Sequence, residues 1–354
     1  MSFLLYGAYG YTGQLITELA VEHGHRPILA GRDSDKVATM ADRFGLKKRV
    51  FRLDDPATVA RALRGVDAVL HCAGPFVNTA EPMVDACLET GTDYLDITGE
   101  IEVFEALVDR NDAAEEAGVT VLPGVGFDVV PTDCLSAHLA RQVSDPVELD
   151  VAFMGLGQIS RGTLKTAIQQ MGSGGLVRRE GRVVRVPPGW TTRTVNFGDR
   201  GRTVVSIPWG DVATAYRSTG IPNITTYTYL PDTARTLLQL SRYLSWLLSW
   251  EPLQKLLAAF ADRQPPGPTA EERRGGETYV WASVRGEDGT EVTGRLHGPE
   301  GYTFTAHAAL AAVQKVLAHE AEPGYQTPST AFGPDFVLEI DGVERTIDPV
   351  PARS

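Results

Sequence analysis

A regular alternation of short apolar runs and amphipathic stretches fills the first 124 residues, and it constrains the fold more than any other feature. The apolar runs predict strands at 3–7, 26–31, 49–54, 67–74, 93–98 and 119–124. Helical periodicity lies between them, near 12–23, 34–44, 56–64, 79–90 and 101–117. Near-continuous apolar strands that alternate with helices are typical of a parallel sheet covered on both faces. Because such crossovers are right-handed, we expect an α/β domain with a doubly wound Rossmann sheet.

The spacing of the elements becomes irregular after Gly126. A helix near 131–143 precedes a strand at 147–154, and alternating segments follow as far as a Pro- and Gly-rich loop at 264–276. This pattern predicts a second, α+β domain with a mainly antiparallel sheet. The predicted boundaries are 1–125 for the Rossmann domain, 126–303 for a domain of substrate or dimer contacts, and 304–354 for a C-terminal helix and tail that pack back on the Rossmann domain.

Charge and cysteine content exclude several classes of protein. The net charge of −12 argues against a nucleic-acid partner, which needs a concentrated basic face. Cys72, Cys87 and Cys134 show no C-x-x-C spacing, so we expect reduced thiols, no metal site and a cytoplasmic location. No uninterrupted apolar stretch reaches the length of about 20 residues that a membrane-spanning helix needs.

The sharpest motif is a glycine-rich turn between the first strand and the first helix, Gly7-Ala8-Tyr9-Gly10-Tyr11-Thr12-Gly13. In this context Gly7 allows a tight turn, Gly10 lets a diphosphate approach the backbone, and Gly13 lets helix and strand pack closely. The helix N-terminus beside Tyr11 and Thr12 favours an anion. The motif therefore predicts a dinucleotide site, and a glycine-rich turn without a ligand is the alternative.

The end of the second strand indicates which dinucleotide binds. Arg32 follows Gly31, and an arginine at this place accommodates a ribose 2′-phosphate, whereas an acid there accepts a hydrogen bond from the 2′-hydroxyl of NAD. Lys36 lies one helical turn later. We therefore expect NADP, used as NADPH, while Asp33 keeps NAD as an alternative.

Small residues at the end of the fourth strand extend the predicted cofactor site. Cys72, Ala73 and Gly74 follow His71. Carboxyl strand ends beside the glycine turn form the crevice in which open α/β sheets bind ligands. Cys72 has an alternative interpretation as a small core residue.

Taken together, several segments resemble the saccharopine dehydrogenase-like NADP-binding family, and within it the branch of trans-acting enoyl reductases and saccharopine dehydrogenase-like oxidoreductases. These segments are GAYGYTG (7–13), CAGPF (72–76), CLETGTDYLDITGE (87–100), PGVGFDVVPTD (123–133), RGTLKTAIQQMGSGGLVRR (161–179), IPWGDVATAYRSTGIPNI (207–224) and PGYQTPSTAFG (323–333). The resemblance extends over nearly the whole chain. It implies an NADP(H)-linked oxidoreductase, without specifying whether C–N bonds or lipid C=C bonds are the substrate.

Three carboxyl groups at predicted strand ends are candidates for acid–base catalysis. Asp96 and Glu100 flank the end of the fifth strand, and Asp128 follows the sixth. Burial that raises the pKa of such a carboxyl makes it a proton donor. A helix cap or a turn anchor is the alternative for Asp96, whereas Glu100 and Asp128 each follow a glycine turn that faces the expected crevice. Tyr94 and His71 are weaker candidates, because both fall in buried-looking strands.

Two further segments bear on substrate and partners. Residues 161–166 combine a helix start with Lys165, which suits a substrate carboxylate or thioester oxygen as well as it suits an ordinary capped helix. Residues 233–260 are rich in Leu and Trp. Core packing, a homodimer contact, an acyl channel and a peripheral membrane contact are all compatible with that composition.

These observations lead to one preferred function and two alternatives. We expect an NADPH-dependent reductase of a small, apolar or lipid-derived C=C or C=O substrate. A saccharopine-type amino-acid C–N oxidoreductase would need arginines for its carboxylates, and Arg161, Arg178, Arg179 and Arg217 are candidates. The second alternative is a non-catalytic NADP(H)-binding protein.

Overall fold

The computed structural model describes residues 2–155, 157, 160–170, 174–243 and 250–348. The chain divides into two compact units. The first unit comprises Met1–Val130 and Tyr302–Phe336, and the second comprises Pro131–Gly301 and Val337–Ser354. The first unit thus combines the region of regular alternation with the C-terminal segment Tyr302–Phe336.

The strands, in chain order, are β1 (Phe3–Tyr6), β2 (Ile28–Gly31), β3 (Lys48–Val50), β4 (Ala68–His71), β5 (Asp93–Asp96), β6 (Thr120–Leu122), β7 (Pro146–Met154), β8 (Gly175–Arg179), β9 (Arg182–Val186), β10 (Thr192–Asn196), β11 (Gly201–Ser206), β12 (Asn223–Tyr229), β13 (Glu277–Gly286), β14 (Glu291–Pro299), β15 (Gly324–Tyr325) and β16 (Glu344–Ile347).

The helices are α1 (Tyr11–Glu22), α2 (Ser34–Phe44), α3 (Pro56–Leu63), α4 (Ala80–Thr90), α5 (Ile101–Val108), α6 (Asn111–Ala117), α7 (Val130–Ala140), α8 (Arg161–Gln170), α9 (Asp211–Thr219), α10 (Asp232–Leu240), α11 (Glu251–Asp262), α12 (Ala270–Arg274), α13 (Gly301–Leu317) and α14 (Pro328–Phe332). Short 3-10 turns lie at Phe76–Asn78, Ser241–Tyr243 and Phe336–Glu339.

The first unit is built on a parallel sheet with the strand order β15-β6-β5-β4-β1-β2-β3. Every pair of neighbouring strands in it is parallel. The apolar strands are buried on both faces, as their continuous hydrophobic runs require. The predicted Rossmann sheet is confirmed, and the strand order reverses between β1 and β4.

Local signals in the sequence set the ends of the first unit's helices. The Asp33 carboxylate caps α2 by accepting a hydrogen bond from the Lys36 N–H, and Gly45 ends the same helix with φ +62°. Pro56 lies in the first turn of α3. The predicted helix 101–117 is instead two helices, α5 and α6, because the chain turns at Asp109 and Arg110 between them.

The second unit contains a mixed sheet whose main path is β10-β11-β12-β7-β13-β14-β16, with β8 and β9 attached to β12. Most neighbours are antiparallel, as predicted, but β7 and β12 are parallel over Glu148–Phe153. One apolar cluster of this unit contains Ala152, Val195, Phe197, Val204, Tyr227 and Trp281. The predicted loop 264–276 contains the short helix α12, which a Thr269–Glu272 capping box stabilises.

The C-terminal segment, predicted as one piece over 304–354, divides at Phe336. Helix α13, strand β15 and helix α14 belong to the first unit, where β15 pairs with β6. Strand β16 belongs to the second unit because it pairs with β14. Residues 349–354 lie outside the described part of the chain.

Candidate functional site

The glycine-rich turn packs as closely as its three glycines allow. Gly7 has φ +85°, and a Cβ added there would lie 2.9 Å from the Ala73 Cβ and from the Cys72 carbonyl. A Cβ at Gly13 would lie 2.4 Å from the Gly7 carbonyl oxygen. Side chains at either position would therefore force the turn open. Gly7 and Gly13 are required by the packing itself, without reference to a ligand.

Gly10 differs from the other two glycines because its backbone does not need a glycine. Its φ of −69° and ψ of 162° are open to any residue, and the one neighbour of an added Cβ is the Gly7 oxygen at 3.2 Å. Gly10 is the N-cap of α1, and no side chain caps that helix. The first N–H groups of α1, at Tyr11 and Thr12, therefore suit an external anion. This geometry fits the diphosphate of a dinucleotide.

The end of β4 lies directly against the glycine turn. The Cys72 N–H donates to the Tyr6 carbonyl at 2.8 Å, and Ala73 touches Gly7. Burial raises the pKa of the Cys72 thiol, which stays neutral. The predicted cofactor residues Gly7, Cys72 and Ala73 are thus brought together where the strand order reverses, the place at which such sheets bind ligands. Gly74 follows them and is exposed.

Glu100 organises the turn that follows Gly74. Its two carboxylate oxygens accept hydrogen bonds from the backbone N–H groups of Phe76 and Val77, at 2.9 and 2.8 Å. Burial raises the pKa of this carboxyl, and the two N–H donors partly oppose that effect. Both oxygens are occupied, so the contacts give Glu100 a positioning role.

Asp96 is enclosed by hydrogen-bond donors at the end of β5. Its Oδ1 accepts from the N–H groups of Thr98 and Gly124, both at 2.9 Å, and its Oδ2 accepts from the Tyr94 hydroxyl at 2.7 Å. The side chain is completely buried. Burial raises the pKa of Asp96 to about 6, against the effect of these donors. The contacts tie β5 to the loop after β6.

Asp128, which follows the end of β6, lacks the hydrogen-bond donors that surround Asp96. A Cβ added at Gly99 would lie 2.6 Å from its Oδ2, so the carboxyl packs on the backbone of the β5–α5 turn. The side chain is half-buried, and this burial alone raises its pKa to about 7. No hydrogen-bond donor or ionic partner of Asp128 is found among the described residues. Such a carboxyl can hold a proton near neutral pH and release it.

Helix α13 also supports this turn, which the sequence interpretation missed. The Thr305 hydroxyl oxygen accepts a hydrogen bond from the Phe127 N–H at 3.0 Å, and Gly126 has no room for a side chain beside Thr305. The Tyr302 and Tyr11 rings meet edge to face at 5.0 Å. Contacts between residues so distant in sequence leave no local signal.

The charged residues that follow β2 differ in their contacts. Arg32 is exposed. The Asp33 carboxylate caps α2 and pairs with the Lys36 ammonium at 3.2 Å. Tyr9, another residue that the sequence interpretation missed, packs beside Gly31, with the Lys36 ammonium 5.6 Å from its ring centre. An aromatic residue inside the glycine turn was the available signal.

Two weaker candidates of the first unit are core residues. His71 is fully buried among the rings of Tyr6, Phe76 and Tyr94, and burial lowers its pKa to about 3. Neither ring nitrogen has a hydrogen-bond partner in the described part of the chain. Tyr94 is fully buried, and its hydroxyl donates a hydrogen bond to the Asp96 carboxylate.

The start of α8 is an ordinary capped helix. The Ser160 hydroxyl oxygen accepts from the Thr163 N–H at 3.2 Å, and its carbonyl accepts from the Leu164 N–H. The Arg161 guanidinium donates to the Gln264 carbonyl. The residues at the start of this helix are thus occupied within the second unit.

The Leu- and Trp-rich segment 233–260 forms parts of α10 and α11, and its residues 244–249 lie outside the described part of the chain. Large apolar side chains are exposed on the remainder: Leu237, Leu240, Tyr243, Trp250, Leu256 and Phe260. Among the described residues, no helix is long and apolar enough to cross a membrane. The peripheral membrane contact, the homodimer and the cytoplasmic location stay predictions.

Comparison with known families identifies the first domain. Residues 3–122 match the family model of the saccharopine dehydrogenase NADP binding domain. The predicted resemblance is confirmed, and these residues form an NAD(P)-binding domain. The match covers the glycine turn, the end of β4, Asp96 and Glu100, and it ends before Asp128.

Curated relatives carry two different names. The saccharopine dehydrogenase-like oxidoreductase of Rattus norvegicus is 29% identical over 213 residues, which cover 52% of this chain and 49% of the relative. The trans-acting enoyl reductase of Mycobacterium ulcerans (strain Agy99) is 28% identical over 190 residues, 51% of this chain and 44% of the relative. The chain thus spans about half the length of the curated relatives it matches.

A solved structure supports the fold over a longer stretch. Apo histidine-tagged saccharopine dehydrogenase (L-Glu forming) from Saccharomyces cerevisiae superimposes with a TM-score of 0.62 at 14% identity. The superposition covers 98% of this chain and 100% of that one. At this identity the likeness shows the fold alone, and it confirms the predicted combination of a Rossmann sheet with a second, mixed-sheet domain.

Proposed function

We propose that this chain, whose residues 3–122 form a saccharopine dehydrogenase NADP binding domain, is an NADP(H)-dependent oxidoreductase. The observation that carries the proposal is the glycine turn, packed against Cys72 and Ala73 at the reversal of strand order. Gly10 leaves the N-terminus of α1 open to a diphosphate there.

NADP is favoured over NAD by the contacts at the end of β2. An NAD site needs a carboxylate that accepts a hydrogen bond from the ribose 2′-hydroxyl. Asp33 is engaged with the Lys36 N–H and the Lys36 ammonium, while Arg32 is exposed and able to meet a phosphate. A guanidinium forms strong, two-pronged hydrogen bonds with phosphate oxygens.

Asp128 is the proposed proton donor of the reaction. NADPH, when bound, supplies a hydride to one carbon of a C=C or C=O bond. The Asp128 carboxyl, whose pKa burial raises to about 7, gives its proton to the atom that receives the electron pair of that bond. Asp128 is then a carboxylate, and a proton from water restores it. Glu100 and Asp96 position the neighbouring turns.

An apolar or lipid-derived substrate is favoured over a substrate rich in carboxylates. Arg178 donates to the carbonyls of Val212 and Gly181, and Arg179 donates to the Thr225 hydroxyl oxygen. Arg161 is bonded to Gln264 in the same way. Three of the four arginines that were candidates for binding several carboxylates thus have guanidinium partners within the second unit, and the fourth, Arg217, is exposed.

The saccharopine-type oxidation or reduction of a C–N bond is the second candidate. The relatives that are named saccharopine dehydrogenase-like oxidoreductase support this candidate. The name of the mycobacterial relatives, trans-acting enoyl reductase, supports a C=C substrate instead. A direct comparison of substrates separates the two.

Cofactor binding tests the first half of the proposal. Calorimetric titration should give tighter binding of NADPH than of NADH. Gly10→Ala should weaken NADPH binding by about tenfold or more, because a methyl group at the N-cap of α1 takes space that a diphosphate on the first N–H groups needs, while the backbone angles stay allowed. Gly275→Ala is the matched control, since Gly275 is exposed and the nearest neighbour of an added Cβ is 3.9 Å away. Absence of binding by the parent protein would reject the proposed function.

Turnover tests the second half. NADPH oxidation is followed by the loss of the absorbance of the reduced nicotinamide. The substrates compared are enoyl thioesters, apolar ketones and imines of amino acids. Faster oxidation with apolar thioesters or ketones supports the first candidate. Faster oxidation with the imines supports the C–N candidate, and tight binding without oxidation of NADPH by any of them supports a non-catalytic protein.

A further inference from the structure

Two arginines leave the parallel sheet side by side at its carboxyl edge. The Phe51 N–H donates to the Gly31 carbonyl at 3.1 Å, which continues the β2–β3 ladder one residue beyond β3. Arg32 directly follows Gly31 and Arg52 directly follows Phe51, so Arg52 lies one residue beyond the position opposite Arg32, and both side chains are exposed. The register therefore brings a second guanidinium, 20 residues further along the chain, to the end of β2.

The Tyr6 hydroxyl is fixed between the two strand ends, because it donates to the Phe51 carbonyl at 3.2 Å. Burial raises the pKa of Tyr6 to about 12, and the positive charges of Arg32 and Arg52 both act on it in the opposite direction. Both guanidinium groups thus lie within electrostatic range of one hydroxyl group.

Arg52 is oriented by a neighbour that leaves its outer end available. The Arg52 Nε donates to the Asp54 Oδ2 at 2.7 Å. The two side chains remain 67% and 61% exposed. Within the described residues, no hydrogen bond is found from the terminal amino groups of Arg52. The Asp54 contact restricts the side chain while those groups stay accessible to an anion.

We propose that Arg52 and Arg32 form a clamp for the ribose 2′-phosphate of NADP(H), with Arg52 as a second specificity-determining residue. The clamp presupposes the proposed function, since the dinucleotide must lie across the glycine turn for its adenosine ribose to reach the end of β2. A planar guanidinium can donate two parallel hydrogen bonds to a phosphate, which the ammonium group of lysine cannot do. Two guanidinium groups therefore offer the phosphate more hydrogen bonds than one.

Calorimetry with four ligands tests the clamp without any turnover. NADPH and 2′,5′-ADP carry the 2′-phosphate, and NADH and 5′-ADP lack it. Arg52→Ala should weaken binding of the first two by about tenfold and leave the second two within about twofold of the parent protein. Arg32→Ala should act in the same direction. Added salt should reduce the difference, because exposed charges are screened.

Arg61→Ala is the matched control, since Arg61 is an exposed arginine of α3 and its loss changes the net charge equally. Equal loss of NADPH and NADH affinity in Arg52→Ala would overturn the clamp and assign Arg52 a structural role. An unchanged preference for NADPH in Arg52→Ala would also overturn it and leave the proposed function standing. A parent protein that binds none of the four ligands would reject both.

Discussion

The ends of β5 and β6 present carboxyl groups at the same edge of the parallel sheet, in opposite conditions. At the end of β5, Asp96 accepts three hydrogen bonds and Glu100 accepts two. At the end of β6, Asp128 packs on the Gly99 backbone without a hydrogen-bond partner among the described residues. The fold places all three acids at the edge where ligands bind, and the donors around each one decide what it can do.

This difference separates anchoring from reactivity. Hydrogen-bond donors around a carboxylate stabilise its ionised form, which holds loops together and has no proton to give to a substrate. A desolvated carboxyl without donors keeps its proton to a higher pH and can deliver it. Four experiments test whether Asp96 and Glu100 are anchors and whether Asp128 is the reactive group.

The largest expected effect is a loss of stability in Asp96→Ala. Removal of the carboxylate leaves the buried N–H groups of Thr98 and Gly124 and the Tyr94 hydroxyl without their acceptor. We expect the free energy of unfolding to fall by at least about 3 kcal/mol, measured by urea denaturation. Asp109→Ala, at an exposed position that ends α5, should change it by less than about 0.5 kcal/mol. Equal stability of the two variants would remove the basis for calling Asp96 an anchor.

Asp128→Asn should abolish most of the activity without harming the fold. An amide of the same shape cannot donate the carboxyl proton, so kcat/KM for the best substrate should fall by about 100- to 10,000-fold. NADPH affinity should stay close to that of the parent protein, and the melting temperature should not fall, because no donor is left unpaired. Asp109→Asn is the control with the same chemical change. Full activity in Asp128→Asn would show that another group donates the proton.

The stability of the parent protein should depend on pH through Asp128. Its pKa is about 7 in the folded chain against 3.8 for the ordinary group, so the folded state retains a proton that the unfolded state releases. This contribution is complete below about pH 4 and is lost as the pH rises through 7. Asp128→Asn should therefore gain about 2–4 kcal/mol over the parent between pH 4 and pH 8.

Comparison with the variant is needed because His71 acts in the opposite direction. Its pKa is lowered to about 3 in the folded chain, so its contribution to stability is lost as the pH falls from about 6.5. His71 is present in both proteins, and its effect cancels in the difference. A difference between Asp128→Asn and the parent that does not vary with pH would contradict the raised pKa of Asp128.

The smallest expected effect belongs to Glu100→Gln. A carboxamide retains one oxygen acceptor, so one of the N–H groups of Phe76 and Val77 loses its partner. Unfolding should become easier by about 1–2 kcal/mol, and NADPH should bind a few-fold more weakly because the turn after Gly74 is less well fixed. Glu102→Gln, on the exposed side of α5, serves as the control. A loss of kcat as large as that of Asp128→Asn would make Glu100 a catalytic residue.

Much of the first unit could be read directly from the sequence. Helix α2 has the predicted ends, because the Asp33 cap and Gly45 act within a few residues of one another. The glycine turn was recognised for the same reason. The strands are shorter than the apolar runs that predicted them, as for β3, because the runs continue into loops whose burial the sequence does not distinguish from that of a strand.

The candidate site was less predictable. The sequence brought Asp96, Glu100 and Asp128 to the right edge of the sheet but could not rank them. Their partners are distant: Asp96 meets Gly124, and Glu100 meets Phe76 and Val77. The second guanidinium, Arg52, was missed for the same reason, because its place beside Arg32 follows from the pairing of β2 with β3.

The amino-acid sequence by itself determined the Rossmann architecture and the turn that accepts the dinucleotide, since periodicity, caps and glycine positions act over short distances. Only the tertiary structure decided which acid is left without donors and which arginines follow neighbouring strand ends. The physical reason is that desolvation and hydrogen bonding depend on the groups that folding brings close in space, and many of these lie 20 or more residues apart along the chain.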